Sequence, residues 1–258
     1  MRLPKLNNST TPQLTQTNTQ EAQPSNEEKN ATTLNDNAVA LYGGTFDPIH
    51  LGHIEPVKNA AQSLQLNSVA LMPCYIPPHK ATPITATEHR LAMVKLVCEH
   101  EPLFTLDTQE IVRGNQGEPS YTIDTLERLA ASDAYRPIFF FIGMDSLVNL
   151  HRWHRFTDIL QLCNIVVCAR PGYVEHCDKR IAKHITNDPK QLKKHPYGCI
   201  YIAETQQVDV SSTQIRAALC TKKSHISREH KQALAHLPAY VLSYIRQHHL
   251  YSTNMKAQ

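Results

Sequence analysis

The segment Gly43-Gly44-Thr45-Phe46-Asp47-Pro48-Ile49-His50-Leu51-Gly52-His53 decides the fold, because it joins an apolar strand to a helix through one tight turn. The predicted strand before it is Ala38-Val39-Ala40-Leu41-Tyr42, and residues 53–65 have helical character. Two adjacent glycines allow the backbone to turn sharply and to approach a ligand closely. Asp47 followed by Pro48 is typical of a helix start, with the acid as cap and the proline as first helical residue. The segment therefore predicts a strand–turn–helix unit.

Apolar runs and amphipathic stretches continue to alternate along the rest of the chain. We predict strands at 68–72, 103–107, 109–113, 138–142, 165–168 and 198–202, and helices at 87–100, 120–131, 144–160, 212–220 and 238–249. The charged segment 173–198 is weakly patterned, and we expect helical surface structure without chemistry there. Short, continuously apolar strands separated by helices indicate a parallel sheet that is covered on both faces. With right-handed crossovers, the prediction is a doubly wound, mainly parallel α/β fold with C-terminal helices, which binds ligands at the carboxyl ends of its strands.

Composition and charge argue against several classes of protein. The 258 residues include 26 Lys and Arg against 23 Asp and Glu, and a net charge of +3 is too weak to indicate nucleic acid or an anionic membrane as a partner. Seven scattered cysteines without a CxxC pair fit reduced thiols better than disulfides or a structural zinc site. No apolar run approaches the ~20 residues of a membrane span, and the polar N-terminus does not resemble a signal peptide. We therefore expect a cytoplasmic protein.

The N-terminal segment differs in composition from the rest of the chain. Residues 1–37 contain mostly Asn, Thr, Gln, Ser, Pro and Glu, and such a segment cannot bury enough apolar surface to offset the entropy of ordering it. We predict a disordered polar tail there and a second short tail at 253–258. Residues 38–252 are the predicted domain, with a helical C-terminal part from about 212. The sequence leaves open whether this domain is a monomer or a homo-oligomer.

Two histidines follow the opening turn at a spacing that brings them together. His50 and His53 lie three residues apart, hence on one side of a helix. Backbone amides, the positive end of the helix dipole and two imidazoles then converge on one spot, which suits a polyphosphate. The pair could also be metal ligands or ordinary surface residues, but no HExxH pattern or nearby carboxylate supports a metal, and Gly52 between them favours function. The segment is neither a P-loop nor GxGxxG.

Two separated motifs resemble those of one superfamily. Residues 43–53 resemble the GGTFDPxHxGH signature of the HxGH nucleotidyltransferases, and Val210-Ser211-Ser212-Thr213-Gln214-Ile215-Arg216 resembles their ISSTxIR motif, about 160 residues further on. Three more segments are similar to the bacterial nicotinate-nucleotide adenylyltransferase family: 76–80, 120–126 and 141–154. Arg170-Pro171-Gly172 and the ending from Tyr244 to Tyr251 also match. The resemblance covers about residues 38–252 and implies a Rossmann-like nucleotidyltransferase fold.

The resemblance implies a reaction as well as a fold. That family transfers AMP from ATP to nicotinate mononucleotide, giving deamido-NAD and pyrophosphate in NAD biosynthesis. The 5′-phosphate of the mononucleotide attacks the α-phosphorus in line, without a covalent enzyme intermediate. Because both reactants are anionic, catalysis should consist mostly of positioning and charge neutralisation. Mg²⁺ would bridge the ATP phosphates and be held mainly by substrate and water rather than by a protein cage.

The resemblance also implies roles for individual residues. The catalytic positions would be His50 and His53, with His53 stabilising charge on the α-phosphate. The other ATP-binding positions would be Gly43, Gly44, Thr45, Phe46, Gly52, Ser212, Thr213 and Arg216. The acceptor-binding positions would be Lys80, Tyr121, Thr122, Asp145 and Trp153. Helix capping is the alternative for Ser212 and Thr213 and is compatible with phosphate binding; Lys80 could lie on a simple surface loop, and a lone Trp is more often part of a core.

Two departures from the family pattern concern the acceptor. Tyr75 stands two positions before the Pro-Pro pair, where relatives often carry an amide, and Gln206-Gln207-Val208 occupies a place where they often have an aromatic residue. The same chemistry on nicotinamide mononucleotide, on pantetheine phosphate, or as cytidylyl transfer is therefore an alternative. Pantetheine-phosphate enzymes are shorter and lack the segments 77–80 and 121–124. A non-catalytic nucleotide-binding protein is a further alternative, which the two intact phosphate motifs argue against.

Overall fold

The computed structural model describes residues 38–76, 82–133, 136–169, 178–206, 208–221, 225 and 227–252. This part of the chain contains seven β-strands and eleven α-helices. The strands are β1 (Val39–Gly44), β2 (Val69–Pro73), β3 (Phe104–Leu106), β4 (Ile138–Gly143), β5 (Asn164–Ala169), β6 (Ile185–Thr186) and β7 (Ile200–Glu204). The helices are α1 (Leu51–Ser63), α2 (Thr87–His100), α3 (Gln109–Asn115), α4 (Thr122–Ser132), α5 (Met144–Asn149), α6 (Phe156–Leu162), α7 (Lys179–Ala182), α8 (Lys190–Lys194), α9 (Ser212–Cys220), α10 (Arg228–Ala235) and α11 (Ala239–Gln247). A 3-10 turn, Leu150–Arg152, separates α5 from α6. The predicted tails, Lys80 and Arg170-Pro171-Gly172 lie outside the described residues.

All seven strands belong to one parallel sheet in the order β3-β2-β1-β4-β5-β7-β6. The chain winds outward from β1 through β2 to β3, and then returns to place β4 on the other side of β1. The direction of winding therefore changes between β1 and β4, and ligands bind at such a point, outside the carboxyl ends of the strands. The predicted doubly wound α/β fold is confirmed.

The core has two layers because alternate residues of each strand point to opposite faces of the sheet. In β4, Phe139 and Phe141 belong to the cluster that packs under α1, α2, α9 and α11. Phe140 and Ile142 belong to the cluster that packs under α4, α5, α6 and α7. All five residues from Ile138 to Ile142 are buried, which explains why this strand is apolar without alternation.

The strand predicted at 109–113 is wrong, because this segment forms α3. The Asp107 carboxylate accepts a hydrogen bond from the backbone N–H of Gln109, at 2.8 Å, and satisfies a free amide at the helix start. Glu110, Arg113 and Gly114 are buried together at helical spacing, whereas Val112 is 52% exposed. The β-branched pair at 111–112 favoured a strand locally, but burial of a helical face outweighed that preference.

The segment predicted as helical surface structure at 173–198 is only partly helical where it is described. Between α7 and α8, residues Ile185–Thr186 form β6, a two-residue edge strand that pairs with β7. So short a strand has too few residues to show the alternation from which strands are predicted. Helix α10 was not predicted either, because it is short and mostly polar and none of its residues is buried.

Candidate active site

Two adjoining cavities lie at the carboxyl ends of β1 and β4. The larger, named here the His50 cavity, has a volume of about 760 Å³ and is lined by all ten residues predicted for catalysis and ATP binding. The smaller, the Trp153 cavity, has a volume of about 460 Å³ and is lined by Tyr121, Thr122, Asp145 and Trp153. Both cavities share the wall residues Gly43, Gly44, Thr45, Asp145 and Ser146. Of the predicted site residues, only Lys80 lies outside the described part of the chain.

Helix α1 begins at Leu51, three residues after Pro48 and two residues before the predicted helical stretch 53–65, and its N-cap is His50. The expectation that Asp47 caps the helix and Pro48 opens it is wrong. The Asp47 carboxylate instead accepts hydrogen bonds from the Tyr251 hydroxyl, at 2.6 Å, and from the backbone N–H of Ile84, at 2.9 Å. Asp47 therefore ties the turn to the C-terminus and to the chain before α2, a long-range role that a local pattern does not reveal.

The two histidines lie against each other at the start of α1. Their ring centroids are 3.8 Å apart, and the backbone N–H of His50 donates to Nδ1 of His53, at 3.3 Å. Because Nδ1 of His53 accepts this bond, a neutral His53 ring carries its proton on Nε2. His53 can therefore act as a hydrogen-bond donor without being charged.

His50 is more deeply buried than its neighbour. Only 3% of it is exposed, and its Nδ1 atom is buried without a hydrogen-bond partner among the described residues. Burial, followed by the nearby His53 and His236, lowers the pKa of His50 far below its ordinary value. His50 is therefore neutral at physiological pH.

The space around Gly52 and Gly44 is too small for a residue with a side chain. A Cβ atom at Gly52 would lie 2.9 Å from two atoms of the His50 ring and 3.1 Å from Cγ1 of Val210. A Cβ atom at Gly44 would lie 2.7 Å from the Phe46 ring. Any side chain at Gly52 would therefore displace the His50 ring or move the start of α9 away from α1.

Helix α9 is capped by Ser211, not by the residues considered for that role. Ser211 Oγ accepts from the backbone N–H of Gln214, at 3.2 Å, and Gln214 Oε1 accepts from the backbone N–H of Ser211, at 2.7 Å. The capping alternative for Ser212 and Thr213 is thus wrong. Both hydroxyls lie in the first turn of the helix and line the His50 cavity.

The first turn of α9 is joined to the glycine turn by side chain to backbone bonds. Ser212 Oγ donates to the carbonyl of Pro48, at 3.0 Å, and Arg216 Nη1 donates to the carbonyl of Asp47, at 2.7 Å. Arg216 Nη2 also donates to Thr213 Oγ1, at 3.1 Å. The starts of α1 and α9 therefore line the same cavity together with one guanidinium, and helix N-termini attract anions.

Aromatic rings form much of the wall of the Trp153 cavity. Trp153 packs edge-to-face on Phe140, with ring centroids 6.2 Å apart, and Tyr121 lies against His154, at 4.5 Å. Thr122 is the first residue of α4, so this helix directs its amide end into the cavity. Flat apolar walls beside a helix start suit a planar ring that carries an anionic group.

The Trp153 cavity also contains a buried acid that the sequence reasoning missed. Glu110 lines the cavity but is only 4% exposed. Its nearest cation, Arg113 Nη2, lies 4.0 Å from Oε1 and donates instead to Thr125 Oγ1, at 2.6 Å. The sequence could have indicated a buried Glu110 only if residues 109–115 had been assigned to a helix, because a helix places Glu110, Arg113 and Gly114 on one side.

Known proteins resemble this chain over most of its length. Residues 41–218 match the family model described as cytidylyltransferase-like. A protein of Pectobacterium atrosepticum, named probable nicotinate-nucleotide adenylyltransferase, is 42% identical over 82% of this chain and 97% of its own length. One of the same name from Yersinia enterocolitica is 44% identical over 69% of this chain and 82% of its own length. The chain belongs to the nicotinate-nucleotide adenylyltransferase family.

Solved structures agree with this family membership at the level of the fold. A Plasmodium falciparum nicotinic acid mononucleotide adenylyltransferase complexed with NaAD superposes with a TM-score of 0.60, at 18% identity, over 83% of this chain and 97% of that chain. The same enzyme complexed with APC superposes equally well, at 17% identity. At these identities the likeness establishes the shared architecture.

The departure from the family pattern at Tyr75 has a structural explanation. Tyr75 does not line either cavity; its ring lies directly over Gly114, where a Cβ atom would overlap it. The backbone N–H of Tyr75 donates to Ser120 Oγ, at 3.4 Å. Tyr75 thus packs the segment after β2 against α3. Gln207, in the second departure, lies outside the described residues.

Arg90 is a further residue that the sequence reasoning missed. It is completely buried, and its guanidinium donates to the carbonyls of Thr45 and Cys74, both at 2.8 Å, and of Tyr75, at 2.7 Å. Thr45 lines both cavities and Cys74 lines the Trp153 cavity. A usable signal was present, since Arg90 lies on the apolar stripe of α2 with Met93, Val94 and Val97.

Proposed function

We propose that the protein transfers AMP from ATP to nicotinate mononucleotide and thereby produces deamido-NAD and pyrophosphate in NAD biosynthesis. One observation carries the proposal: the cavity lined by both phosphate motifs adjoins an aromatic cavity along a shared wall at Gly43, Gly44 and Thr45. Two anionic substrates can thus be placed side by side at this wall. The names of the relatives and the ligands of the Plasmodium falciparum structures are consistent with these substrates.

In the His50 cavity, we assign the ATP phosphates to the space between the starts of α1 and α9. Free amides of the two helices, the hydroxyls of Ser212 and Thr213, and Arg216 would hold the β- and γ-phosphates. The Nε2 proton of His53 would donate to the α-phosphate as negative charge develops there. A donor that is already oriented by a backbone bond needs little reorganisation in the transition state.

Neutral His50 would act differently from His53. It provides no charge, and its ring lies over Gly52 where the helix begins. We infer that His50 contributes a hydrogen bond to ATP through a ring nitrogen and keeps the first turn of α1 in place. The unpartnered Nδ1 atom is consistent with this role, because buried polar atoms in proteins nearly always have a partner.

In the Trp153 cavity, we assign the pyridine ring of the acceptor to the space beside Trp153 and Tyr121. The start of α4 would bind the carboxylate of the ring, while the ribose phosphate reaches the shared wall beside Thr45. There the 5′-phosphate attacks the α-phosphorus in line and pyrophosphate leaves towards α9. The reaction requires no protein nucleophile, since both reacting groups belong to the substrates.

Mg²⁺ fits this site as a partner of the substrate. Within the described ranges, no group of three or more His, Cys, Asp and Glu side chains could hold a metal ion, and both Asp47 carboxylate oxygens already accept hydrogen bonds. Mg²⁺ commonly keeps several waters and binds to substrate phosphates. We therefore propose that ATP carries it into the His50 cavity, where it would neutralise phosphate charge.

A cytoplasmic location is part of the same proposal. The described cysteines are free thiols, which fits a reducing compartment. No helix in the described ranges is long and apolar enough to cross a membrane.

A comparison of acceptors tests the proposed function. Purified protein with ATP and Mg²⁺ should release pyrophosphate when it receives nicotinate mononucleotide, and much more slowly with nicotinamide mononucleotide. A phosphate-release assay coupled to pyrophosphatase measures both rates. Equal or faster release with the amide would reassign the acceptor, and no release with either acceptor would contradict the enzymatic proposal.

A further inference from the structure

We propose that Glu110 determines the choice between a carboxylate and a carboxamide on the pyridine ring of the acceptor, because it binds the carboxylate form only while its own carboxyl group is protonated. The inference rests on the proposed function and adds to it a specificity residue outside the predicted site. It also makes the preference between the two acceptors dependent on pH.

The position of Glu110 supports a direct effect on the acceptor. It lines the same cavity as Tyr121, Thr122 and Trp153, which is the space assigned to the pyridine ring. It is nevertheless only 4% exposed, which leaves little water to screen its charge. Any charge on Glu110 would therefore be felt strongly by a second charge in this cavity.

The groups around Glu110 compensate its charge only in part. Arg113, on the same helix, is 4.0 Å away and forms its short bond with Thr125 Oγ1, and the Thr125 hydroxyl in turn donates a long hydrogen bond to Glu110 Oε1, at 3.4 Å. Asp107, in the preceding turn, adds a second negative charge nearby, although its own oxygens accept bonds from Gln109. Ser120, before α4, adds a hydrogen bond to Glu110, and Tyr75 lies over Gly114. The same cavity is also lined by the charged side chains of Asp145 and Arg152 and by His154.

This environment favours the protonated form of Glu110. Burial raises the pKa of the Glu110 carboxyl to about 7, and Asp107 adds to the increase, while Arg113, Thr125 and Ser120 oppose it. An anionic acceptor in the cavity would raise the pKa further, since like charges disfavour ionisation. Glu110 therefore changes charge within the physiological pH range.

The two protonation states favour different acceptors. A protonated Glu110 has an O–H group that can donate to the carboxylate of nicotinate mononucleotide. An ionised Glu110 repels that carboxylate but can accept from the N–H₂ group of nicotinamide mononucleotide. Because both acceptors share the ribose phosphate and the pyridinium charge, the ratio of their rates isolates this difference.

The test is the ratio of kcat/KM for nicotinate mononucleotide to kcat/KM for nicotinamide mononucleotide, measured from pH 6 to 8.5. In the unmodified protein we expect the ratio to fall about tenfold, the order expected for two like charges several ångströms apart in a partly buried site. Glu110→Gln keeps the shape of the side chain and a donor but removes the titration, so its ratio should be independent of pH. Glu118→Gln is the matched control, since Glu118 is exposed and pairs with Arg128, and it should retain the pH dependence.

A second measurement needs no variant. At pH 8, binding of nicotinate mononucleotide should take up close to one proton, seen by calorimetry in buffers of different ionisation enthalpy, and binding of the amide should take up much less. A constant ratio of kcat/KM across this pH range in the unmodified protein, or the same pH profile in Glu110→Gln, would overturn the inference. Absence of turnover with both acceptors would instead contradict the proposed function.

Discussion

The His50 cavity and the Trp153 cavity are built in different ways. The ten predicted residues of the His50 cavity come from two short motifs, each at the start of a helix, where free backbone amides are available to an anion. The Trp153 cavity collects side chains from β4, α3, α4, α5, α6 and the turns around them, against the backbone of β1. A phosphate chain can be recognised by local backbone geometry, whereas a substituted ring requires side chains brought together from distant segments.

The cavities also differ in the kind of buried group whose charged form they disfavour. The His50 cavity buries a base whose pKa is lowered, and the Trp153 cavity buries an acid whose pKa is raised. In both cases burial is the main cause, because a low dielectric disfavours the charged form. His50 is thus neutral at physiological pH, whereas Glu110 is neutral only below about pH 7. The fixed cation among the described residues of the His50 cavity is Arg216.

The largest expected effect belongs to the His50 cavity. His53→Ala removes the oriented donor from the α-phosphate, and turnover should fall by roughly 100-fold or more with either acceptor, since donors of this kind contribute a few kcal/mol in the transition state. Steady-state rates with both mononucleotides measure it, with circular dichroism to verify the fold. His195→Ala, at an exposed histidine that lines neither cavity, is the control. Unchanged turnover would remove His53 from its assigned role.

Arg90→Lys should affect both cavities at once, because the Arg90 guanidinium binds backbone carbonyls in the walls of both. Lysine keeps the charge but cannot reproduce the planar fork that reaches three carbonyls, so we expect about 2 kcal/mol less stability. KM should rise for ATP and for the acceptor together. Urea denaturation and two-substrate kinetics measure these effects, and Arg228→Lys, on the exposed side of α10, is the control. A change in only one KM would show that Arg90 serves a single cavity.

The smallest expected effect is on the pH dependence of the free energy of unfolding, to which His50 and Glu110 contribute with opposite signs. The folded pKa of His50 lies below its unfolded value of about 6.5, so its contribution is present above that pH and is lost as pH falls. The folded pKa of Glu110, about 7, lies above its unfolded value, so its contribution is present below about pH 4.5 and is lost as pH rises to about 7. Between about pH 5 and 6 the two slopes oppose each other, each approaching about 1.4 kcal/mol per pH unit.

Two variants should therefore change the pH dependence of the free energy of unfolding in opposite directions. Relative to the unmodified protein, His50→Asn should gain stability as the pH is lowered from 6 to 5, and Glu110→Gln should lose it. Urea denaturation at pH 5.0, 5.5 and 6.0 measures the free energy of unfolding. Curves that stay parallel to that of the unmodified protein would contradict the neutral state assigned to the mutated residue.

Prediction from the sequence was accurate where a short pattern determines the local structure. It was wrong where a contact with a residue distant in sequence determines that structure. The parallel sheet followed from apolar runs such as Ile138–Ile142. Asp47 resembled a cap, yet its partners Tyr251 and Ile84 lie far away in the sequence. Residues 109–113 resembled a strand, yet the helix is favoured by packing of Glu110, Arg113 and Gly114 against α4 and Tyr75.

The sequence by itself determined the doubly wound fold, because strand periodicity, glycine turns and helix starts are short-range features of the chain. The resemblance of its two phosphate motifs to those of a known superfamily also pointed to ten of the residues that line the His50 cavity. Only the tertiary structure decided that Arg90 joins the two cavities, that Ser211 rather than its neighbours caps α9, and that Glu110 is buried beside the acceptor space. These features depend on burial and on groups distant in sequence. Desolvation of His50 and Glu110 arises only when the surrounding elements have packed.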